Sequence, residues 1–378
     1  MKMNSRVKGN RAKDNIRAVR KSENRRVRKG KISKVKDLYD TGLRSVGWFW
    51  PKTAHCEPPE EIQWTRHLNA SWAKWFKEQG FKNITDINYP HSCRQFIRGF
   101  CEAVNINITC DLLLPTAKSV ACIITAMNES ETLKAQLGEL TRLPFEEIIV
   151  VLNGSTDNSH EVVRHYPNRI TVVYFDAALG YDVGRAVGAK VSNSEILLFL
   201  DGDMSIGVDL LLPFIYEMEK GADVVLNPIS SLLPKSGRID SVSVAKQFLN
   251  VCLGRKDLLS DSLTAIPHAL SRNAVKKIGY GVLAVPPVAH ARAVRLGLSI
   301  LKSPETVDVI TSNRIRRGNT GLGNRVERLI LGDHLEALHE LMKDSGPRLW
   351  FKDNVRQRDF ENKGEAKNDQ YERDHPDL

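Results

Sequence analysis

No C-x-x-C pair occurs among the six cysteines of this 378-residue chain (Cys56, Cys93, Cys101, Cys110, Cys122 and Cys252). Their spacings fit no common zinc pattern, and in a chain of this length they read as reduced thiols. No window approaches the ~20 consecutive apolar residues of a membrane-spanning helix. The N-terminal stretch is basic but lacks the apolar run of a secretory signal. Together these absences lead us to expect a cytoplasmic protein. Aromatic residues are missing from the first 36 positions, where 15 Lys or Arg face only Asp14 and Glu23. That arm carries +13 of the net charge of +10, so the other 342 residues sum to −3. With few apolar residues it cannot form a packed core, and it is expected to be disordered when free. It is either a solvated tail or a peripheral contact with anionic membrane. Without an aromatic for base stacking, no specific nucleic-acid partner is expected.

What is present begins with a Trp-rich block at residues 37–115, holding five of the six tryptophans. Trp64, Leu68, Trp72, Trp75 and Phe76 recur at helical spacing between Glu60 and Gln79, behind Pro58-Pro59. Such a stripe is either the core face of a docked helix or a stacking surface for a sugar. Phe96 to Val104 reads as a second helix. From residue 119 onward, strand-like and helix-like segments alternate. The apolar runs Ser119–Thr125, Glu147–Leu152, Ile170–Phe175 and Glu195–Leu200 are separated by stretches of helical periodicity, with a further strand at Ala222–Leu226. This alternation predicts an α/β fold with a mostly parallel, doubly wound sheet and an N-terminal helical extension.

The fourth run delivers Asp201-Gly202-Asp203 to the carboxyl edge of that sheet, where open α/β folds bind ligands. Two carboxylates one residue apart form a hard-oxygen site suited to Mg²⁺ or Mn²⁺ carrying substrate phosphates. The alternative is an acidic turn capping the next helix. Four motifs in order decide between them: Thr125-Ala126-Met127-Asn128-Glu129, Asn153-Gly154-Ser155-Thr156-Asp157, Gly184-Arg185-Ala186-Val187-Gly188 and Phe199-Leu200-Asp201-Gly202-Asp203. Each stands at a strand end or the following helix start.

This ordered set resembles family-2 glycosyltransferases, nucleotide-sugar enzymes of the A-type glycosyltransferase fold. The resemblance covers residues 118–230 well and 260–310 more loosely. It implies a nucleotide-diphosphate sugar donor, Mn²⁺ or Mg²⁺ as cofactor, and an acceptor that is a glycan, a lipid or a small molecule. It further implies Asp203 as main metal ligand, with Asp201 on the metal or the ribose. Ala126, Asn128, Glu129, Asn153, Asp157 and Gly202 would line the nucleotide-sugar pocket, and Arg185 would approach the base or phosphates. Leu152-Asn153 departs from the acidic pair the family often carries. For Asp157 a helix cap, and for Arg185 a surface ion pair, are the plainer readings.

Domain limits follow: arm 1–36, helical extension 37–115, catalytic domain 116–312 (nucleotide-sugar half 116–230, acceptor half 231–312), Arg loop and C-terminal helix 313–352, and charged tail 353–378. In inverting relatives a carboxylate near the start of a late helix takes the acceptor's proton. The matching stretch, Gly281 to His290, has neither Asp nor Glu. His290, His268, Asp257 or Asp261 would have to substitute, or the enzyme retains configuration and needs no such base. Arg314, Arg316 and Arg317, after a last strand expected at Val307–Ile310, could clamp a diphosphate or a phosphorylated acceptor. His334, expected to open a helix after Gly332-Asp333, could complete a metal shell. Two other classes compete. A nucleotidyltransferase would carry a Gly-rich loop where Ala126–Glu131 stand, and a non-catalytic binding protein would not need Asp201 and Asp203.

Overall fold

The computed structural model describes residues 38–45, 61–166, 170–234, 239–310, 324–353 and 356. The basic arm, Arg314, Arg316, Arg317 and most of the charged tail lie outside them. Helix α1 spans residues 38–45. Then follow α2 (Glu61–Glu78), α3 (Tyr89–Val104), β1 (Val120–Ala126), α4 (Ser130–Leu140), β2 (Glu147–Asn153), α5 (Ser159–Arg164) and β3 (Ile170–Phe175). Next come α6 (Val183–Val191), β4 (Ile196–Asp201), α7 (Leu212–Glu219), β5 (Val224–Leu226) and α8 (Ser241–Cys252). The chain continues through β6 (His268–Ser271), α9 (Arg272–Ile278), α10 (Pro286–Arg295), β7 (Ile300–Lys302) and α11 (Arg325–Ser345).

The seven strands form one sheet in the order β3-β2-β1-β4-β6-β5-β7. Four of the six neighbouring pairs are parallel, so the α/β class read from the alternation is the class found. Only β6 runs against its neighbours β4 and β5. In β1 and β4 the side chains are buried on both faces, as continuous apolar runs require. Alternate residues feed two cores. Cys122, Ile124, Leu198 and Leu200 join the layer under α2, α3, α4 and α7. Ile123, Leu197 and Phe199 face α6, α9 and α10. A smaller cluster ties α8, α10 and α11 together.

The tryptophan stripe takes the core reading: Trp64, Leu68, Trp72 and Phe76 are buried, and the Trp72 indole donates to Tyr89 Oη at 2.8 Å. Three expectations are corrected. Helix α3 starts at Tyr89, not Phe96, because Asn88 caps it and Pro90 fits its first turn. The last strand is Ile300–Lys302 rather than Val307–Ile310. The Val307 N–H and carbonyl are both taken by the Asn227 side chain, at 3.0 and 2.9 Å, instead of a neighbouring strand. His334 does not open a helix, since α11 runs unbroken from Asn324, whose side chain accepts from Glu327 N at 2.7 Å. The helical hydrogen bonds continue through Gly332, a residue with a modest helix cost.

Because β6 is antiparallel, β5 leaves the sheet at the carboxyl edge and β6 re-enters from the same edge. The excursion 227–267 is fastened where it begins and ends: Asn227 Nδ2 donates to Ile266 O and Val307 O, both at 2.9 Å.

Candidate active site

Three strand ends meet in front of Asp201. Past β1, Asn128 adopts a left-handed conformation, φ 59°, which asparagine tolerates better than most residues. Its Oδ1 accepts from Thr156 N at 2.7 Å and Asp157 N at 3.2 Å, joining the β1 and β2 loops. Asp157 accepts from Ser159 N at 2.9 Å and Ser130 N at 3.0 Å, so one carboxylate caps the starts of α5 and α4. Burial alone would raise its pKa, but these bonds hold it below the ordinary value. The capping reading of Asp157 therefore stands. Glu129 is buried and its N–H meets Ser159 Oγ at 3.1 Å. Asn153 accepts from Leu179 N at 2.6 Å and donates to Gly180 O at 2.7 Å, fixing the loop that enters α6.

The Asp-Gly-Asp turn is held from both sides. Gly202 N donates to Thr125 O at 2.8 Å, and Gly202 O accepts from Thr132 Oγ1 at 2.7 Å. A Cβ at position 202 would lie 2.6 Å from Ala126 Cβ, so Ala126 serves as the wall that admits only glycine there. Gly188 does the same for α6, where a Cβ would stand 2.4 Å from Ile123 Cγ2. This close approach brings Arg185 under the end of β4.

Arg185 is 5% exposed, which excludes the surface ion pair. Its Nη2 donates to Asp201 Oδ2 at 3.1 Å, its Nη1 lies 3.0 Å from Asp182 Oδ1, and Leu263 O is 3.4 Å away. Burial works against the guanidinium charge, but Asp182, Asp201 and Asp203 outweigh it and raise its pKa. Its two terminal nitrogens are committed to Asp201 and Asp182, while Nε has no partner among the described residues. Asp203 is different. Burial, reinforced by the Asp201 carboxylate, pushes its carboxyl up to about 6. Its Oδ1 is buried without a hydrogen-bond partner among the described residues, as are Thr125 Oγ1, Arg185 Nε and Thr264 Oγ1. Buried polar atoms are normally paired, so these four stand out at the carboxyl edge of the sheet.

The proposed proton acceptors are otherwise engaged. His290 is wholly buried, with Nε2 2.8 Å from Asn250 Oδ1. Asn250 itself donates to Leu259 O and Asp261 O, so its oxygen accepts from His290. Burial, with Arg255 and His334 nearby, pushes the His290 pKa down to about 3. His268 stacks on Phe199 with 5.1 Å between ring centroids, and burial and the Arg185 charge bring it also to about 3. Asp261 is wholly buried, accepting from Ser230 N and Oγ at 2.8 and 2.7 Å and facing Lys302 Nζ at 3.3 Å. Asp257 pairs with Arg255 at 2.8 Å. His334 bonds the Ile330 carbonyl through Nδ1 at 2.6 Å. Among the described residues no three His, Cys, Asp or Glu side chains are grouped to hold a metal. The electrostatic neighbour of His334 is the Lys246 ammonium.

Three participants escaped the sequence reading: Asp182, Lys246 and Asp333. Asp182 directly precedes α6 in a left-handed conformation, φ 62°. Asp333, on α11, is pushed up to about 6 by burial and then by Asp182 and Glu336. Lys246 lies on the buried face Ser243-Lys246-Leu249-Asn250 of α8, a face too polar to stand out in the sequence. A cleft of about 850 Å³ does exist elsewhere, lined by Arg66, Lys118, Glu147 and Thr171 at the amino edge, but no residue named at the carboxyl edge borders it.

Residues 121–241 match the family model described as Glycosyl transferase family 2. The poly-beta-1,6-N-acetyl-D-glucosamine synthase of Staphylococcus aureus (strain COL) is 24% identical over 244 residues, 57% of this chain and 58% of that protein. The synthase of the same name from Staphylococcus epidermidis is 25% identical over 177 residues, 43% of this chain and 42% of that protein. The chain thus spans about half the length of the curated relatives it matches. Among solved structures, glucosyl-3-phosphoglycerate synthase from Mycobacterium tuberculosis, in complex with Mn²⁺, UDP and phosphoglyceric acid, aligns with a TM-score of 0.44 at 19% identity. That alignment covers 63% of this chain and 80% of the other.

Proposed function

With a glycosyl transferase family 2 domain at residues 121–241 as the premise, we propose that this chain transfers a sugar from a nucleoside-diphosphate sugar to an acceptor at the carboxyl edge of its sheet. The observation that carries this reading is Asp203 Oδ1, a buried carboxylate oxygen with no partner among the described residues, near the Asp201 carboxylate. Two carboxylates without a full protein cage fit Mg²⁺ or Mn²⁺, which keep open positions for substrate phosphates. Asp203 and Asp201 would hold that ion. When bound it would offset charge developing on the departing diphosphate.

The chain's own groups do the rest. Arg185 fixes the Asp201 carboxylate, and Thr132 and Thr125 fix the peptide between the two acids, so the site needs no rearrangement when substrate arrives. Asn128, Glu129, Asn153 and Asp157 shape the loops beside the nucleoside, chiefly by holding backbone N–H groups in place. Arg314, Arg316 and Arg317 are proposed as further oxyanion contacts, and the arm as a peripheral tether to anionic membrane.

A second reading, transfer with retention of configuration, is favoured by one observation. Gly281 to His290 contains no carboxylate, and His268 and His290 are neutral and shut off from solvent. The anomeric configuration of the product, read by NMR, decides between retention and inversion. The donor reading is tested by thermal-shift screening of UDP, GDP, CDP and dTDP with and without Mn²⁺. At least one nucleotide should stabilise the protein more with Mn²⁺ than without it. No nucleotide doing so in the wild type would overturn the reading.

A further inference from the structure

Lys246 sits one and a half turns into α8 and is 8% exposed. It makes no hydrogen bond or ion pair among the described residues. The side chain is nine-tenths buried while the ammonium keeps a trace of solvent contact, so its partner is either water or a ligand. Two carboxylates lie near enough to act on it, Asp240 and Asp261, yet both are committed elsewhere. Asp240 caps α8, accepting from Ser243 N at 2.9 Å and Ser243 Oγ at 2.6 Å. Asp261 accepts from Ser230 and faces Lys302. Burial pushes the ammonium down to about 8, Asp240 and Asp261 resist, and Arg185 adds to the depression.

The surroundings of Lys246 are also short of partners. Arg185 and His334 both interact with its charge, and Arg185 Nε and His334 Nε2 are buried and unpaired among the described residues. They come from α6 and α11, so they are not one local turn left unfinished. Because His334 Nδ1 meets a carbonyl, it carries the ring proton, and Nε2 presents a lone pair. Arg185 is neutralised by Asp182 and Asp201. Lys246 is thus the positive charge of this cluster with no carboxylate in contact, Asp240 and Asp261 acting on it only from a distance. A hydroxyl could bond to it but would add no opposite charge, whereas a phosphoryl or carboxylate group would supply both.

We propose that Lys246 is a substrate-binding residue that takes an oxyanion in the space bounded by α6, residues 261–263, α8 and α11. The proposal deepens the donor reading above and rests on it for the location of substrate. The oxyanion belongs either to the diphosphate of the donor or to an acidic group on the acceptor, and the two sources are separable.

Calorimetric titration of the full chain with inorganic pyrophosphate and Mn²⁺ probes the first. Titration with inorganic phosphate, in the presence of the nucleoside diphosphate that stabilises best, probes the second. Lys246→Met keeps the volume and removes the charge. We expect it to weaken one of the two titrations tenfold or more while the melting temperature holds or rises, because an unpaired buried charge is gone. Pyrophosphate affinity lost assigns the donor side, and phosphate affinity lost assigns the acceptor side. If both affinities stay within twofold of wild type, or the wild type binds neither probe, the proposal fails. A lower melting temperature with unchanged affinities also overturns it, since that is how a structural lysine behaves. Lys246→Gln serves the same comparison if the methionine variant does not fold. Nucleotide stabilisation of the wild type is measured beforehand, so failure of the donor reading is seen separately from failure of this one.

Discussion

The two edges of the same sheet are built on opposite terms. At the amino edge, Glu147 accepts from Ser192 Oγ at 2.6 Å, Asn193 N at 3.0 Å, and Ser194 N and Oγ at 3.1 and 2.7 Å. Arg272 closes the same turn from the other side, donating to Ser194 O, Ala189 O and Ser192 Oγ at 2.9, 3.1 and 2.9 Å. Each charge there has a full set of partners. At the carboxyl edge, Asp203, Thr125, Arg185 and Thr264 each leave a buried atom unpaired. Unpaired buried polar atoms lower stability and are retained where a ligand completes them. One edge is therefore closed by its own hydrogen bonds, and the other leaves polar atoms open, as the proposed donor site requires.

The largest test of that contrast is Asp203→Asn. It preserves shape and removes the charge, so transfer should fall ~100-fold or more, the scale of losing one electrostatic stabiliser of a transition state. Metal-dependent binding of nucleoside diphosphate should collapse with it, while melting temperature holds or rises as repulsion from Asp201 is relieved. Retained metal dependence in this variant would break the contrast. Glu147→Ala is the mirror image. Stranding several donors should cost ~2 kcal/mol of unfolding free energy, with nucleotide affinity unchanged in the same preparation. Gly202→Ala falls between them, because its Cβ must displace Ala126. We expect a loss of ~1–2 kcal/mol in chemical denaturation, together with weaker nucleotide binding as the two acids are pushed apart. A variant as stable as wild type would show that the turn is looser than the 2.6 Å approach implies.

The smallest effect is in pH, and the edges should differ in sign. Burial works against the Glu147 carboxylate, but its hydrogen bonds outweigh this and hold its pKa below the ordinary 4.5. Its stabilisation is present above that value and is lost as pH falls through the folded pKa. Asp203 is raised to about 6 from 3.8. Its contribution is present below 3.8 and is lost as pH rises through about 6. Melting curves from pH 3 to 8 should therefore lose part of their acid slope in Glu147→Gln and part of their alkaline decline between pH 4 and 6.5 in Asp203→Asn. Identical pH profiles for wild type and both variants would remove the electrostatic basis of the comparison.

Much of the nucleotide half was readable because its signals are local. The runs around Ile123, Val150 and Leu198 are apolar, short and bounded by turn residues, and β1, β2 and β4 fall within a residue or so of their expected limits. Asp201 and Asp203 were legible for the same reason, since a strand followed by its loop fixes where they stand. Beyond residue 230 local pattern lost its hold. Strand β7 has only three residues and pairs by long-range contact, whereas Val307 looks more strand-like but is captured by Asn227. Arg185 is expected from the resemblance to approach the base or phosphates, and nothing in its own helix shows that Asp182 and Asp201 will enclose it. His290 offered the right chemistry for a base, but only the three-dimensional packing shows its ring buried against Asn250. Lys246 was overlooked because a lysine inside an amphipathic helix reads as solvated unless its neighbours in space are known.

The Asn227 staple bears on how such a protein can change. One side chain ties Ile266 to Val307 at the point where the chain departs from β5, so everything between 227 and 267 hangs from a closed gate. Inside that gate α8 is not interchangeable, since Leu249 and Cys252 pack with α10 and α11 and Asn250 holds His290, so any replacement of the segment has to keep that face.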